Sequence, residues 1–474
     1  MLTRRRFVGY SALSSAMLAY RPLLREAWAQ TPVHRPLQLA ILCSVYRQGS
    51  QMQTLGDRFL VGYPYEGDWR TPEVQVVSVY VDQLVRQVEA APSPYQLAMT
   101  GAKIAPSSSA RGIAGGLGKD RAVGALPSAE KAEPAADLSK ARSQQFGFRV
   151  CSNIPEALRC GGNKIAVDAV LSIVEQDDYP SNDRGQILLP NYDFFQQCAQ
   201  VFEDEGRGVP YFNHKQLSFS FPQAKTMVET AQRLRFPLLA GSSMPVTWRL
   251  PEVDVPLGAE VEEAVMVGVG APDGMDYDAL EALQCMMERR KGGETGVKAV
   301  QLLEGDDVWA AQNAGRWSKD LLSSALSRTD TPQGLTVLDG RTQDLVASGV
   351  LPQLVKNPMA YCLEYNDGAR ATLLMLDGAI TDYNISVKVA GHDLVSTQFF
   401  MPPAPNNLYS ACLASKIEQL FQTQHPAYPV ERALLTSGVL EGCLQSRHKL
   451  NQRLETPQLA VSYQPPSESQ YTRT

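Results

Sequence analysis

Residues 209–218, VPYFNHKQLS, are the stretch on which the fold prediction depends, because an apolar run leads directly into polar residues. The first half is rich in residues that favour a β-strand. Asn213, His214 and Lys215 then follow at the carboxyl end of that strand. In open α/β sheets, ligands bind in the crevice beyond the carboxyl ends of the strands. The stretch therefore predicts a buried strand that delivers His214 and Lys215 to a binding crevice.

The residues before this stretch predict a second strand and a connecting helix. Residues 165–174 (IAVDAVLSIV) are apolar and of strand length, and the acidic Glu175 and Asp177 follow them. Residues 192–204 place apolar side chains at helical spacing. A strand, a helix and a strand in this order predict a right-handed crossover with two polar loops on the same edge of a sheet.

The first part of the chain shows the same alternation of elements. Residues 37–45 (LQLAILCSV) form an apolar run of strand length that ends near Ser44 and Tyr46. A helix is predicted over residues 52–61, and a second strand lies within residues 69–80. This β-α-β order is typical of the start of a dinucleotide-binding fold.

Two features of this unit bear on a nucleotide ligand. Asp82 lies just past the second strand, where such folds place an acid that binds the ribose hydroxyls. A helix N-cap is an equally good interpretation of Asp82. The first turn lacks G-x-G-x-x-G and has only Gly49 before Gly56, so a pyrophosphate would have to approach backbone that carries side chains.

Length and composition limit the class of protein. The chain has 474 residues, which predicts two domains. Hydrophobic residues make up 44% and charged residues 20%, as in globular proteins. The net charge is −6 and the sequence has no basic patch, which argues against nucleic acid as a partner. Residues 101–143 are rich in Ala, Gly, Ser and Pro, which predicts a disordered insertion in the first domain.

The first 29 residues have the three parts of a twin-arginine export signal. Arg4 and Arg5 follow Thr3 and precede Phe7, an apolar run follows, and Ala27-Trp28-Ala29 offers a cleavage site. We therefore expect a periplasmic or extracytoplasmic protein with no membrane span once the signal is removed. An ordinary amphipathic helix is the alternative. Because the route carries folded proteins, it favours a bound cofactor.

Cysteine and histidine spacing does not indicate a metal. The eight cysteines contain no C-x-x-C pair and the five histidines are scattered, so we predict no metal site. Buried free thiols are the favoured interpretation of the cysteines, and disulfides in an exported chain are the alternative.

The second half of the chain predicts a different architecture. A glycine-rich turn at 291–296 opens a predicted helix over 297–303, and Asn366-Asp367-Gly368 is the turn of a predicted hairpin over 361–376. Strands are predicted at 262–270 and within 378–400, and helices at 276–290, 416–422 and 430–447. We therefore predict an α/β protein, with a Rossmann-like parallel-sheet domain over residues 30–245 and an α+β domain with a mostly antiparallel open sheet over 246–463. Residues 464–474 are predicted to be a flexible tail.

Three stretches of this sequence resemble motifs of one known family. HKQLS at 214–218 resembles the E-K-P strand end of the Gfo/Idh/MocA family of nicotinamide-dependent sugar oxidoreductases. GGETGVKAV at 292–300 resembles the glycine-rich D-x-G-x-H stretch of that family, and TPQLAVSY at 456–463 resembles its terminal strand. The resemblance covers roughly residues 37–463, in order of elements more than in identity. It implies a Rossmann domain joined to an α/β domain whose open sheet often forms the face of a homo-oligomer.

The resemblance also implies roles for individual residues. Lys215 matches the lysine that orients and protonates the substrate, Lys298 stands where the family has its acid/base histidine, and Glu294 where it has an aspartate. A lysine acts as a base only if burial or a nearby cation lowers its pKa, and otherwise acts as an electrostatic clamp. The expected constellation has Lys215 and Lys298 in one cleft. The expected contacts of NAD or NADP are Ser44, Tyr46, Asp82, Glu175, Asp177 and His214.

Two functions from different classes agree with these observations. One is an exported oxidoreductase that acts on a sugar or polyol with a tightly held NAD or NADP. The other is a non-catalytic carbohydrate-binding protein on the same scaffold. The order of elements and the export signal favour the oxidoreductase, whereas the missing glycines and the missing histidine favour the binding protein.

Overall fold

The computed structural model describes residues 35–84, 136–175, 177–270, 272–331, 344–402 and 406–473. The predicted export signal, 1–29, and most of the predicted insertion, 101–135, lie outside these residues. The described part of Gln38–Thr474 is one compact unit. It contains two main sheets and a small hairpin.

The first sheet lies in the N-terminal half. Within the described ranges it has six strands, in the order β5-β4-β1-β6-β7-β8. The strands are β1 Leu37–Cys43, β4 Val74–Val81, β5 Arg149–Cys151, β6 Ala169–Ile173, β7 Tyr211–His214 and β8 Leu238–Gly241, and the hairpin is β2 Tyr63–Tyr65 with β3 Asp68–Arg70. The pairs β1–β6, β4–β5, β6–β7 and β7–β8 are parallel. Counted within this sheet, the order is 3-2-1-4-5-6, that of dinucleotide-binding domains. The fold is Rossmann-like.

Helices cover this sheet. They are α1 Arg58–Val61, which follows a π-helical turn at Met52–Gly56, then α2 Ser139–Phe146, α3 Ile154–Arg159, α4 Asn191–Glu205 and α5 Phe221–Leu234. Helix α4 turns Phe194, Phe195 and Phe202 inward, and the Phe195 ring packs edge-on against Tyr211 of β7 with 5.4 Å between centroids. The apolar spacing seen in the sequence therefore places α4 on the sheet and fixes the loops at its carboxyl edge.

The second sheet is mixed and mostly antiparallel. Its eight described strands run in the order β16-β11-β12-β13-β10-β14-β15-β9. They are β9 Trp248–Leu250, β10 Val261–Gly268, β11 Val297–Glu304, β12 Met359–Tyr365, β13 Arg370–Met375, β14 Tyr383–Val389, β15 Val395–Phe400 and β16 Leu454–Glu455. Strands β10 and β13 pair in parallel, whereas β12 and β13 form the predicted antiparallel hairpin. The expected fold class is confirmed.

Helices of the C-terminal half connect the two sheets. They are α6 Met275–Met287, α7 Asp306–Asn313, α8 Lys319–Leu326, α9 Leu351–Leu354, α10 Tyr409–Thr423 and α11 Glu431–His448. A Cβ atom at Gly438 of α11 would lie 2.6 Å from the Phe221 ring of α5, so only glycine allows these two helices to approach so closely. In α10, Glu418 accepts a hydrogen bond of 2.5 Å from the Tyr63 hydroxyl of β2. The C-terminal helices therefore pack against the Rossmann-like part.

Two predicted elements of the second half are wrong. Residues 297–303, predicted as a helix, belong to strand β11, which pairs with β12 along its length. The apolar residues of VKAVQLLE fit both the helical and the strand period, and pairing with β12 in the sheet decides for the strand. Residues 456–463 are not the predicted strand, since Pro457–Leu459 is a 3-10 helix. Pro457 lacks the amide hydrogen that a sheet ladder requires.

The ends of two predicted irregular segments are ordered. Helix α2 begins at Ser139, inside the predicted insertion 101–143, where the Asp137 carboxylate accepts a hydrogen bond of 2.9 Å from the Ser139 amide. The predicted flexible tail packs on the fold, because Tyr471 and Thr472 are buried and the Thr472 amide donates to the Val246 carbonyl at 2.9 Å. Both stretches are polar in composition and depend on contacts distant in sequence.

Three further findings concern the cysteines, membrane-spanning helices and groups of metal-binding residues. All eight cysteines are free thiols, and all but Cys160 are buried, as the favoured interpretation of the sequence predicts. Within the described ranges, no helix combines the length and the apolar character needed to span a bilayer. No group of His, Cys, Asp and Glu in those ranges is arranged to hold a metal ion.

Candidate active site

A cavity of about 270 Å³ lies at the carboxyl ends of β6 and β7. It is enclosed by residues that follow β1, β6 and β7 and by the start of α6. They are Gln51, Val174, Glu175, Leu189, Asn191, His214, Lys215, Gln216, Asp273, Gly274, Met275, Tyr277 and Leu440. The structure therefore brings Glu175, His214 and Lys215 together at the sheet edge that the sequence indicates.

Lys215 is held in an unusual backbone conformation by two contacts. Its φ angle is 64°, a left-handed value that is uncommon for a residue with a side chain. Its amide donates to the Gly241 carbonyl at 2.9 Å, and its Nζ lies 2.8 Å from Asp278 Oδ2. Burial acts to lower the pKa of Lys215, but the Asp278 carboxylate outweighs it and the pKa is raised. Lys215 is therefore a fixed cation.

Two carboxyl groups of the cavity titrate near neutral pH. Burial raises the pKa of Glu175 to about 7, although the Gln51 amide donates to its Oε1 at 2.7 Å. Burial also raises the pKa of Asp273 to about 7, and its Oδ2 accepts a hydrogen bond of 2.6 Å from the Ile187 amide. A carboxyl with such a pKa can accept or release a proton at physiological pH.

Buried polar atoms lie in the lining of the cavity and beside Lys215. Burial and the neighbouring Lys215 lower the pKa of His214 to about 3, so its imidazole is neutral. His214 Nδ1, Asn191 Oδ1 and Asp278 Oδ1 are buried without a hydrogen-bond partner among the residues that the structure describes. Buried polar atoms of proteins nearly always have partners. A ligand with several hydroxyl groups would supply them.

The strand order reverses between β1 and β6, and we call the region beyond the carboxyl ends of the strands at this reversal the nucleotide crevice. Ser44, at the end of β1, accepts a hydrogen bond of 3.1 Å from the Glu175 amide. Asp82, at the end of β4, accepts hydrogen bonds from the hydroxyls of Tyr80 at 2.7 Å and Tyr179 at 2.8 Å. Three of the residues expected to contact the nucleotide, Ser44, Asp82 and Glu175, therefore lie around this crevice.

Of the three other expected residues, His214 lines the cavity, and Asp177 and Tyr46 lie on the loops after β6 and β1. Asp177 pairs with Arg47, with 3.0 Å between Oδ2 and Nη1, and lies on the segment that follows β6. Tyr46 is buried and its hydroxyl donates to the Asp57 carboxylate. Tyr46 therefore supports the loop after β1 from below.

The structure separates Lys298 and Glu294 from Lys215. Lys298 is exposed on β11, and Glu294 is buried in an ion pair with Arg290, 2.8 Å away. Neither residue lines the cavity. Residues 297–304 are a strand and not a helix, and the residue that pairs with Lys215 is Asp278.

Sequence reasoning missed Asn191, Asp273 and Asp278. The sequence does indicate Asp273 and Asp278, because they belong to the acidic run DGMDYD at 273–278, which lies just after the predicted strand 262–270. The same strand-end argument that selected His214 and Lys215 applies to this run.

The hydrogen-bonding groups of the crevice match those of a dinucleotide. The Asp82 carboxylate already accepts two hydroxyl donors, as it would from a ribose. The Gln51 amide, at the start of the helical turn after β1, already donates to a carboxylate, as it would to a phosphate. The crevice therefore fits such a cofactor in chemistry, and the chain's own side chains satisfy these groups in the structure.

Comparisons with known proteins complete the description. No protein-family model matches the chain, and no curated protein matches it. Solved structures align with it along most of its length. A myo-inositol 2-dehydrogenase from Lactobacillus plantarum has 11% identity and a TM-score of 0.46, over 89% of this chain and 99% of that one. A myo-inositol dehydrogenase from Lactobacillus casei in complex with NAD(H) and myo-inositol has 8% identity and a TM-score of 0.46, over 88% and 96%.

A third structure, GenD2 from gentamicin A biosynthesis in complex with NAD, has 11% identity and a TM-score of 0.48, over 90% of this chain and 97% of that one. Identities of 8 to 11% and TM-scores below 0.5 transfer neither a substrate nor a cofactor to this chain.

Proposed function

We propose that this chain is an oxidoreductase of the Gfo/Idh/MocA type that acts on a sugar or polyol with a nicotinamide dinucleotide. The observation that carries the proposal is the Lys215–Asp278 pair, 2.8 Å long. Lys215 lines a cavity at the carboxyl edge of a sheet with dinucleotide-binding strand order. Ligands of such folds bind at this edge and at this reversal of strand order.

The dinucleotide would be held by residues that follow strands β1 and β4. Asp82 would accept hydrogen bonds from the ribose hydroxyls, and the Gln51 amide would donate to a phosphate. Because the Asp82 carboxylate would repel a phosphate on the ribose, we propose NAD rather than NADP. When bound, the nicotinamide ring supplies the hydride acceptor for an alcohol.

The residues of the cavity would prepare the alcohol for oxidation. Lys215 donates to the oxygen that gains negative charge, and Asp278 keeps that ammonium charged and in place. The hydroxyl proton passes to the Asp273 carboxyl, whose pKa is about 7. His214 is neutral and accepts a hydrogen bond from a further hydroxyl group.

The size and polarity of the cavity indicate the substrate class. A volume of about 270 Å³ lies just below the usual range of ligand cavities, about 300–1,000 Å³. Buried polar atoms without a partner in the described part of the chain lie on Asn191 and His214 of the lining and on Asp278, the partner of Lys215. A monosaccharide or a cyclic polyol has the size and the hydroxyl groups for such a site.

A second function is favoured by one observation. The hydrogen-bonding groups of the nucleotide crevice are satisfied by the chain itself, through Glu175 and Tyr179. A carbohydrate-binding protein that has lost the cofactor would keep the cavity and close the crevice in this way.

A turnover assay with two lysine variants tests the proposal. NAD reduction is followed with a panel of inositols, aldoses and sugar acids. With an accepted substrate, Lys215→Met should reduce turnover by about two orders of magnitude or more, the usual scale for a positioned proton-transfer or charge-stabilising group. Lys298→Met should leave turnover unchanged, because Lys298 is exposed on β11. Equal losses in both variants would favour the constellation implied by the family resemblance, and substrate binding without turnover would favour the binding protein.

A further inference from the structure

The segment after β6 crosses the nucleotide crevice and bonds to both of its walls. We call Glu175, Asp177, Asp178 and Tyr179 the strap. On the β1 side, the Glu175 carboxylate accepts from the Gln51 amide at 2.7 Å, and Asp177 pairs with Arg47 at 3.0 Å.

The strap makes matching contacts on the β4 side. The Tyr179 hydroxyl donates to Asp82 at 2.8 Å, and Gln83 Nε2 donates to the Asp178 carbonyl at 3.1 Å. The strap is therefore bonded across the place where the strand order reverses, which is where a dinucleotide enters a fold of this kind.

The contacts of the strap imitate those of a dinucleotide. A carboxylate that accepts from a backbone amide resembles a phosphate in the same position, because both are oxyanions. A hydroxyl on an acid at the end of the second strand resembles a bound ribose. Arg47, paired with Asp177, would be released beside a pyrophosphate if the strap moved. The strap and a dinucleotide therefore compete for the Gln51 amide, the Asp82 carboxylate and the Arg47 guanidinium.

We propose that the strap is an autoinhibitory segment that a nicotinamide dinucleotide must displace. The inference rests on the function proposed above and adds how cofactor binding is controlled. The apparent affinity for the dinucleotide is then reduced by the fraction of molecules whose strap is open. A tightly held cofactor is accordingly not part of the proposal. Any interaction that stabilises the closed strap weakens cofactor binding.

A binding experiment on the full chain measures this competition. Isothermal titration calorimetry with NAD compares the wild type with the double variant Asp177→Ala/Tyr179→Phe, which removes the pairs to Arg47 and Asp82. The variant should bind NAD about tenfold more tightly or better, and a tenfold change equals about 1.4 kcal/mol. Asp178→Ala is the matched control, since Asp178 is exposed and bonds through its carbonyl. The affinity of this control should equal that of the wild type.

The outcomes separate the strap from the proposed function. If all three proteins bind NAD equally, the strap inference is overturned and the oxidoreductase proposal stands. If none binds NAD or NADP, both fail. Hydrogen exchange gives a second measurement on the wild type. Saturating NAD should speed exchange of the amides at 177–179, and unchanged or slower exchange there would also overturn displacement of the strap.

Discussion

Replacing Lys215 by methionine tests the contact that defines the candidate site. The variant keeps much of the side-chain stem but leaves the Asp278 carboxylate, which is only 5% exposed, without its cation. Removing one partner of a fully buried ion pair costs about 3–5 kcal/mol. The Lys215 side chain is 27% accessible, so solvent screens part of this interaction. We therefore expect a loss of about 2 kcal/mol in the free energy of unfolding.

A double-mutant cycle isolates the interaction from other effects of the substitutions. The cycle compares Lys215→Met, Asp278→Asn and the double variant by urea unfolding, followed by circular dichroism. Because the uncharged double variant has no unpaired carboxylate, its loss should be smaller than the sum of the single losses. The coupling free energy should be about 2 kcal/mol, within the range for residues in direct contact.

A second ion pair of the chain serves as the control. Lys291 and Glu260 lie 2.6 Å apart, but their side chains are 70% and 62% accessible. The same cycle on this pair, with Lys291→Met and Glu260→Gln, should give a coupling within the error of the measurement, because solvent screens exposed pairs. If Lys215 and Asp278 couple no more strongly than this control, the pair is a surface contact and the site loses its fixed cation.

Two further predictions concern pH and export. Because burial raises the pKa of Glu175 to about 7, the native state binds this proton more tightly than the unfolded state, and stability falls as pH rises towards that pKa. Glu175→Gln should therefore increase the free energy of unfolding at about pH 8, by at most about 3 kcal/mol, and change it little at about pH 5. Melting temperatures at the two pH values measure this difference. An equal increase at both would contradict the raised pKa of Glu175. Replacing Arg4 and Arg5 by lysines should abolish export, as measured by cell fractionation, and unchanged export would remove the twin-arginine interpretation of residues 1–29.

Local patterns were sufficient to predict most of the Rossmann-like half. Helix α4 spans Asn191–Glu205, close to the predicted 192–204, because the apolar spacing that indicates it is a property of the segment itself. Strand β7 and its polar end were predicted on the same basis. The order of strands and helices then limits the sheet to few topologies, which is why the sequence could predict that Glu175, His214 and Lys215 follow neighbouring strands at one edge of the sheet.

Features that depend on distant contacts could not be predicted in this way. Asp278 is 63 residues from Lys215 in the chain, and no local pattern marks the two as partners. Strand β11 is fixed by its pairing with β12, so the family resemblance placed Lys298 on the wrong kind of element. Glu175 and Asp177 were selected from the sequence as expected contacts of a cofactor, whereas in the structure they bond to the Gln51 amide and to Arg47.

The most direct test of the central claim is a crystal structure of the wild-type protein grown with saturating NAD and a substrate polyol. We expect the ribose hydroxyls to lie within hydrogen-bond distance of Asp82 and the Tyr179 side chain to have moved out of the crevice. A polyol oxygen should lie beside Lys215 Nζ. A polyol in the cavity beneath a closed strap, with no nucleotide in the crevice, would contradict the oxidoreductase and favour the binding protein.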